Sequence, residues 1–216
     1  MKYATLLFDL DGTLVDSLAD LTEAVNHMRN SFSLPPLPCS TVRAMVGKGA
    51  RNLVRQALPD SSPDELGRGL ALFIDYNERH IADHSRPYPG IADLLETIAG
   101  QGARMAVVSN KNEALSRLIL ERLGLARFFD AVCGGDTCPE MKPSPLPLFT
   151  AIEALGGTPD SSVMIGDSIN DIGAGRNAGI TTVGCSWGYG SDGELRGADC
   201  RAGSIEQLLK ILNGAD

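Results

Sequence analysis

The sequence has no apolar run that approaches the roughly 18 residues of a membrane-spanning helix. Its first residues also lack the basic, apolar and cleavage segments of a signal peptide, so we expect a cytoplasmic protein that does not contact a membrane. Dense clusters of lysine and arginine are missing too, and the net charge is −8, which disfavours a nucleic-acid partner. A small anionic substrate remains compatible with this charge, because a cation and local N–H groups can recruit it.

Cysteine is scarce and follows no pattern. The five cysteines stand at irregular spacing: Cys39, Cys133, Cys138, Cys185 and Cys200. This odd number and this spacing fit neither a zinc site nor a disulfide framework, so we expect buried, reduced thiols. Repeats and low-complexity tracts are absent as well. With 216 residues, 43% of them hydrophobic, the chain can form one large domain or a core with an insert.

Short apolar strands alternate with helices over most of the chain. This alternation predicts a Rossmann-like α/β core, in which a parallel sheet carries helices on both faces. The predicted strands lie at 6–8, 104–108, 131–133, 162–165 and 181–183, and the predicted helices at 91–101, 112–123, 145–155, 170–177 and 205–212.

Residues 16–86 show helical periodicity and no strand signal. We predict helices at about 18–32, 40–46, 50–58 and 63–84, with Ser17 as the cap of the first. The chain therefore divides into an α/β catalytic core, residues 1–15 and 87–216, and an inserted α-helical cap, residues 16–86. This division is a prediction from pattern alone.

Two aspartates follow the first strand at positions i and i+2. Alternate residues of a strand point to the same face, so Asp9 and Asp11 can enter one pocket. Two neighbouring carboxylates repel each other unless a cation or a shared proton relieves them. A plain Asp-Gly turn is the alternative interpretation. The intact series Asp9-Leu-Asp11-Gly-Thr13 behind an apolar strand favours a functional site.

Polar residues also follow the later strands, and in parallel sheets such strand ends form the active site. They include Ser109-Asn110, Lys142 in the loop before a helix, and Gly166-Asp167-Ser168-Ile-Asn-Asp171. Phosphoryl transfer needs this set of groups. A carboxylate can be the nucleophile, carboxylates can hold a hard cation, and a lysine with hydroxyl groups can hold the oxygens. A second carboxyl must protonate the leaving alkoxide.

Together these residues resemble the haloacid dehalogenase-like superfamily, on its phosphatase side. Four signatures of that family stand in order: Asp9-Leu-Asp11-Gly-Thr13, Ser109-Asn110, Lys142-Pro143 and Gly166-Asp167-Ser168-Ile-Asn-Asp171. The resemblance covers essentially the whole chain, including a helical cap between the first two motifs. It implies a magnesium-dependent hydrolase that forms an aspartyl-phosphate.

The resemblance also implies the roles of the acidic residues. Asp9 would be the nucleophile and a Mg²⁺ ligand, and Asp167 would be the second side-chain ligand. Asp11 would be the general acid and base and would offer its backbone carbonyl to the metal. Asp171 would hold Lys142 or metal-bound water, although a helix N-terminal charge is an alternative. The dehalogenases lack an acid equivalent to Asp11, because a halide leaves without a proton, so we expect phosphate-ester hydrolysis.

The remaining core residues of the motifs would bind the phosphoryl group. Ser109 and Asn110 would contact its oxygens, and Thr13 would support the turn beside it. Lys142 would neutralise both Asp9 and a phosphate oxygen. These assignments follow from the resemblance.

The cap contains one distinctive loop, around Gly47, Lys48, Gly49 and Arg51. Its glycines permit close approach to a ligand, a helix begins right after it, and its charges are positive, so we expect it to bind a second anion such as a carboxylate. A plain connection with glycine caps is the alternative. This loop and Trp187-Gly188-Tyr189-Gly190 are similar to those of phosphoglycolate phosphatases within the family.

The sequence leaves the substrate open. We expect a small anionic phosphate ester, and 2-phosphoglycolate first among them. Related phosphatases for sugar phosphates, pyridoxal phosphate or nucleotides share the core, and so do β-phosphoglucomutases. A non-catalytic binding or regulatory protein is a further alternative. A monomer and a homodimer are equally compatible with the sequence.

Overall fold

Six parallel strands form the main sheet of the computed structural model, which describes residues 1–214. The strand order is β5-β4-β1-β6-β7-β8, so the first strand lies in the middle of the sheet. The strands are β1 Thr5–Phe8, β4 Arg104–Val108, β5 Ala131–Cys133, β6 Ser162–Gly166, β7 Thr181–Cys185 and β8 Cys200–Ala202. Two further strands, β2 Val15–Asp16 and β3 Arg86–Pro87, form a separate antiparallel pair.

The central strand is buried on both faces of the sheet. Leu6 and Phe8 belong to one apolar cluster, and Leu7 belongs to another. All three side chains are fully buried, and burial of such a side chain contributes about 1.5–3 kcal/mol. Helices on both faces explain why this strand is a continuous apolar run rather than an alternating one. The predicted α/β fold with a parallel sheet is confirmed.

Nine helices are present in the described part of the chain. The first four, which follow β2 directly, pack around an apolar cluster of their own that includes Leu21, Val25, Leu53 and Phe73. The helices are α1 Leu18–Asn30, α2 Cys39–Arg43, α3 Ala50–Ala57, α4 Pro63–Arg79, α5 Ile91–Gly100, α6 Glu113–Arg122, α7 Leu146–Ala154, α8 Ile169–Ala178 and α9 Ile205–Asn213. We keep the name cap for residues 16–86; its boundaries as a domain stay a prediction.

The ends of the cap differ from the sequence prediction. The strands β2 and β3 pair at its two junctions with the core, where we expected no strand. The helix expected to reach residue 84 ends at Arg79. The reason is Asp20, a buried carboxylate that accepts hydrogen bonds from the backbone N–H groups of His84 and Ser85, at 2.9 and 2.8 Å. These bonds hold the chain in a turn in place of a further helical turn.

Two other sequence expectations concern thiols and membranes. All five cysteines are free; Cys133 and Cys185 are buried, Cys138 and Cys200 are half-buried, and Cys39 is exposed. The expectation of buried thiols was therefore wrong for Cys39. No helix within residues 1–214 is both long and apolar enough to cross a membrane.

Candidate active site

The loop after β1 places the two aspartates at the carboxyl edge of the sheet. The backbone N–H of Asp9 donates to the carbonyl of Ile165 at 2.9 Å, which continues the pairing of β1 with β6 by one residue. Gly12 then turns the chain with φ +91°, a conformation that favours glycine. A Cβ atom at Gly12 would lie 2.5 Å from Oδ2 of Asp167. The turn therefore brings the β1 loop against the loop that follows β6.

Lys142 occupies the centre of the site. Its ammonium donates to Oδ1 of Asp9 at 2.8 Å, to Oδ1 of Asp171 at 2.6 Å and to the carbonyl of Val108 at 2.5 Å. The side chain is almost fully buried. Burial by itself opposes the charged form, but the carboxylates of Asp171 and Asp9 outweigh it and hold the pKa of Lys142 above its ordinary range. The lysine is therefore a fixed positive charge beside Asp9.

Asp171 connects this lysine to the start of α8. Its Oδ2 accepts from the backbone N–H of Ser168 at 2.9 Å and from the Ser168 hydroxyl at 2.7 Å, which forms a capping box. Its other oxygen accepts from Lys142. The two interpretations of Asp171 are thus compatible in this geometry, because one carboxylate both caps the helix and orients the lysine.

Asp167 is held by two loops at once. Its Oδ1 accepts from the hydroxyl of Thr13 at 2.9 Å, and its Oδ2 accepts from the backbone N–H groups of Tyr189 and Gly190 at 2.6 and 3.3 Å. A side chain at Gly188 would collide with Asp167 and with the carbonyl of Gly12. The loop 187–190 can therefore approach the carboxylate only with glycine at position 188.

The acidic groups suit a hard cation. Oxygens of Asp9, Asp167 and Asp171 lie within 4.8 Å of one another. Burial raises the pKa of Asp9, helped by the negative charge of Asp171 and opposed by Lys142, and burial also raises the pKa of Asp167. Such crowded, desolvated carboxylates are typical ligands of Mg²⁺. The side chains that could hold the ion are those of Asp9, Asp167 and Asp171, each of which also accepts a hydrogen bond from a protein group.

Asp11 has partners of its own, which the sequence analysis missed. The hydroxyl of Ser17 donates to its Oδ1 at 2.5 Å, and the ammonium of Lys111 lies 3.4 Å from its Oδ2. Ser17 is the N-cap residue of α1, as predicted, but its side chain makes no hydrogen bond to the helix and binds Asp11 instead. Lys111 directly follows the Ser109-Asn110 motif, and its position next to that motif could have predicted that it lies in the site.

Ser109 and Asn110 lie beside Lys142 at the end of β4. The amide of Asn110 donates to the carbonyls of Gly47 and Lys142, each at 2.9 Å, and accepts from the N–H of Lys142 at 3.0 Å. Ser109 accepts from the N–H of Lys111 at 3.2 Å through its hydroxyl. Asn110 thereby fixes the lysine-bearing loop and a loop of the cap to the same strand end.

Two further contacts between cap and core involve the Gly47 loop and Arg43. The carbonyl of Gly47 accepts from Asn110 and also from Asn170, at 3.1 Å. Arg43 of α2 donates to the carbonyls of Gly188 and Tyr189, at 2.6 and 3.2 Å. The second contact reaches the same loop that holds Asp167.

A cavity of about 50 Å³, here called the central cavity, lies between cap and core. Its core side includes Asp9, Asp11, Ser109 and Lys142, and its cap side comes from α1, α3, α4 and the Gly47 loop. Lys48 and Arg51 line a neighbouring cavity of about 420 Å³ instead. The structure thus brings the core motifs together but places these two cap residues elsewhere.

A doubly wound sheet with these groups at its carboxyl edge defines an α/β enzyme. Residues 6–185 match the family model of the haloacid dehalogenase-like hydrolases. A phosphoglycolate phosphatase of Chromobacterium violaceum is 40% identical over 210 residues, which cover 95% of this chain and 94% of that relative. One from Caulobacter vibrioides is 43% identical over 201 residues, or 91% and 85% of the two chains.

A solved structure agrees with these relatives. The crystal structure of a predicted phosphoglycolate phosphatase from Haemophilus somnus 129pt aligns with a TM-score of 0.92 at 31% identity, covering 98% of this chain and 99% of that one. The protein belongs to the haloacid dehalogenase-like hydrolase family. The resemblance inferred from the four motifs is confirmed, and so is the similarity to phosphoglycolate phosphatases.

Proposed function

We propose that the protein is a magnesium-dependent phosphatase that hydrolyses 2-phosphoglycolate through an aspartyl-phosphate on Asp9. The observation that carries the proposal is the arrangement of Asp9 and Asp11. Asp9 lies against the ammonium of Lys142, whereas Asp11 is bound by Ser17 and Lys111. The two carboxyls are two residues apart in sequence but have different environments, which supports different roles in catalysis.

In the first half of the reaction, a carboxylate oxygen of Asp9 attacks phosphorus. The bond between phosphorus and the ester oxygen breaks, and protonated Asp11 gives its proton to that oxygen, so glycolate leaves as the alcohol. Lys142 holds Asp9 in place and offsets negative charge on the phosphoryl group. Ser109 and the backbone of its loop would hold the phosphoryl oxygens.

In the second half, Asp11 removes a proton from water and the water oxygen attacks phosphorus. The bond to Asp9 breaks, which releases phosphate and restores both aspartates to their starting states. Asp9 and Asp167 would hold Mg²⁺, whose positive charge would lower the repulsion between the nucleophile and the phosphoryl group. Asp171 keeps Lys142 oriented during both halves.

The choice of 2-phosphoglycolate rests on the relatives and on the size of the site. Both curated relatives described above are named for that substrate, and the central cavity is small. Gly47 lines this cavity and stays in the proposed substrate site. Lys48 and Arg51 line the adjoining cavity, from which we propose that their charges attract the anionic ester without touching it.

A panel of phosphate monoesters tests the proposal. Free phosphate is measured with Mg²⁺ and with a chelator, for wild type and for Asp9→Asn. We expect 2-phosphoglycolate to give the highest kcat/KM, and we expect chelator or the substitution to abolish turnover. If another ester has a higher kcat/KM, the assignment of 2-phosphoglycolate as the substrate is wrong, but the assignment of the reaction as phosphate-ester hydrolysis stands. Isomerised substrate with little free phosphate would instead identify a phosphomutase.

A further inference from the structure

One polar side chain in the cap has a buried oxygen without a hydrogen-bond partner. Asn77 lies on α4 and is 2% exposed, and its Oδ1 is buried without a partner. Burial of an unpaired amide oxygen costs folding free energy, and native proteins pair nearly all such atoms. An apolar residue at this position would remove that cost. The asparagine therefore calls for an explanation outside folding.

The position of Asn77 in the structure suggests why an asparagine is present there. Asn77 lines the central cavity together with Phe73, one helical turn earlier on α4. The other cap side chains around this cavity are apolar: Leu21, Val46, Ala50 and Leu53. Within the described residues, Asn77 is thus the single polar side chain that the cap presents to the cavity. The second buried polar atom without a partner, the hydroxyl of Tyr3, lies in an apolar cluster of the sheet.

The two sides of the cavity face different parts of a bound ester. Asp9, Ser109 and Lys142 on the core side suit the phosphoryl group, which places the rest of the ester towards the cap. There, Asn77 is the side chain able to form a hydrogen bond. An amide offers an N–H₂ donor or a C=O acceptor, depending on its rotation about the last side-chain bond. A half-turn about that bond would place the N–H₂ group where Oδ1 now lies, and the side chain would then present a donor to a carboxylate.

We propose that Asn77 is a specificity-determining residue that donates a hydrogen bond to the carboxylate at the far end of the substrate. The inference rests on the proposed function and adds to it the group that recognises the leaving part. A substrate that completes this hydrogen bond is bound more strongly than one that leaves the amide unpaired. The cap selects by one polar contact within an otherwise apolar wall.

The test compares two esters of similar length. 2-Phosphoglycolate carries the carboxylate, whereas ethyl phosphate lacks it. For Asn77→Leu we expect kcat/KM on 2-phosphoglycolate to fall about 10- to 100-fold, because a hydrogen bond to a charged group is lost. The value for ethyl phosphate should change by less than about threefold, because that ester never makes the contact. Asn77→Asp should lower kcat/KM on 2-phosphoglycolate further than Asn77→Leu does, since two carboxylates then face each other.

Measurements of thermal stability distinguish a role of Asn77 in substrate selection from a role in folding. The melting temperature of Asn77→Leu should stay the same or rise, because the substitution removes an unpaired buried amide. The matched control is Asn26→Ala, also in the cap. Asn26 exchanges hydrogen bonds with the backbone of Leu37, at 3.0 and 2.7 Å. That variant should lower the melting temperature and leave the preference between the two esters unchanged.

Each result has one interpretation. Equal losses on both esters, or no loss on either, would overturn the role of Asn77 while wild-type turnover upholds the proposed function. Wild-type protein that hydrolyses neither ester would overturn the proposed function itself. Asn77→Ser repeats the comparison if the leucine variant fails to fold, and the same selective loss is expected.

Discussion

The two sides of the central cavity differ in how their polar groups are paired. On the core side, Asp9, Asp171 and Lys142 each have charged or hydrogen-bonding partners within the protein. On the cap side, the wall is apolar and the amide oxygen of Asn77 has no partner. These polar groups of the core side are paired within the protein, whereas the cap side leaves one contact to be made.

This difference separates reaction from selection. A paired, desolvated network needs no rearrangement as charge develops, which is what electrostatic catalysis requires. An unpaired amide in an apolar wall adds nothing to that chemistry but can distinguish one leaving group from another. We therefore expect core variants to lose activity on all esters, and cap variants to change which ester is preferred.

After the loss of turnover expected for Asp9→Asn, the largest effect is expected at Asp11. Asp11→Asn removes the proton donor, and general acid catalysis contributes about 10²- to 10⁴-fold. The kcat/KM for 2-phosphoglycolate should fall by that factor. The value for p-nitrophenyl phosphate should fall much less, because nitrophenolate leaves without a proton. Equal losses on the two esters would show that Asp11 does not protonate the leaving group.

The next effect is expected at Lys142, and it includes stability. Lys142→Met leaves two buried carboxylates without their cation, which costs about 3–5 kcal/mol of unfolding free energy. Activity should fall about 10²- to 10³-fold on every ester. Urea unfolding and steady-state kinetics measure the two effects. Lys210→Met on the exposed face of α9 is the matched control and should change stability by less than about 0.5 kcal/mol.

The charge on the core side also predicts a pH dependence. Burial raises the pKa of Asp9 and Asp167 above the ordinary 3.8 in the metal-free protein. The folded state therefore holds more protons than the unfolded chain, and its unfolding free energy should fall as pH rises from about 4 to about 8. Mg²⁺ competes with these protons, so its affinity should rise over the same range, by up to about tenfold per pH unit for each proton displaced.

Calorimetric titration with Mg²⁺ at several pH values measures that affinity. Asp9→Asn should bind the ion more weakly and with a shallower pH dependence, because one of the two titrating ligands is gone. An affinity for Mg²⁺ that does not change with pH would exclude Asp9 and Asp167 as the carboxylates that hold the ion.

The smallest effect is expected where cap and core meet. Arg43→Ala removes the two hydrogen bonds to the carbonyls of Gly188 and Tyr189. Arg43 is exposed, so each bond contributes about 0.5–1.5 kcal/mol or less. The kcat/KM should fall about 2- to 10-fold, and by the same factor for 2-phosphoglycolate and ethyl phosphate. A change in the ratio between the two esters would place selection at this contact rather than at Asn77.

Much of the core could be predicted from sequence for a physical reason. A strand buried on both faces must be continuously apolar, and the polar residues that follow it then stand at the carboxyl edge of the sheet. This reasoning located β1, β4 and β6, the strands that precede Asp9, Ser109 and Asp167. It also explains why the sequence analysis did not predict β8. This strand is short, lies at the edge of the sheet and has mixed polarity, so it shows no continuous apolar run.

Other features depend on contacts between distant residues. The two-residue strands β2 and β3 are too short to show a period, and the end of α4 is decided by Asp20, far away in sequence. Asn77 is one asparagine on an amphipathic helix, and no local pattern distinguishes it. Its significance comes only from its burial, its lack of a partner and its place in the cavity.

The most direct test of the central claim is chemical trapping of the intermediate. Borohydride reduces an acyl phosphate to an alcohol, so an aspartyl-phosphate becomes homoserine. Protein reacting with 2-phosphoglycolate and Mg²⁺ is quenched with borohydride, digested and analysed by mass spectrometry. We predict homoserine at position 9 and at no other aspartate, and none when substrate is omitted. Homoserine at another position, or an unmodified Asp9 in protein that is releasing phosphate, would contradict the account.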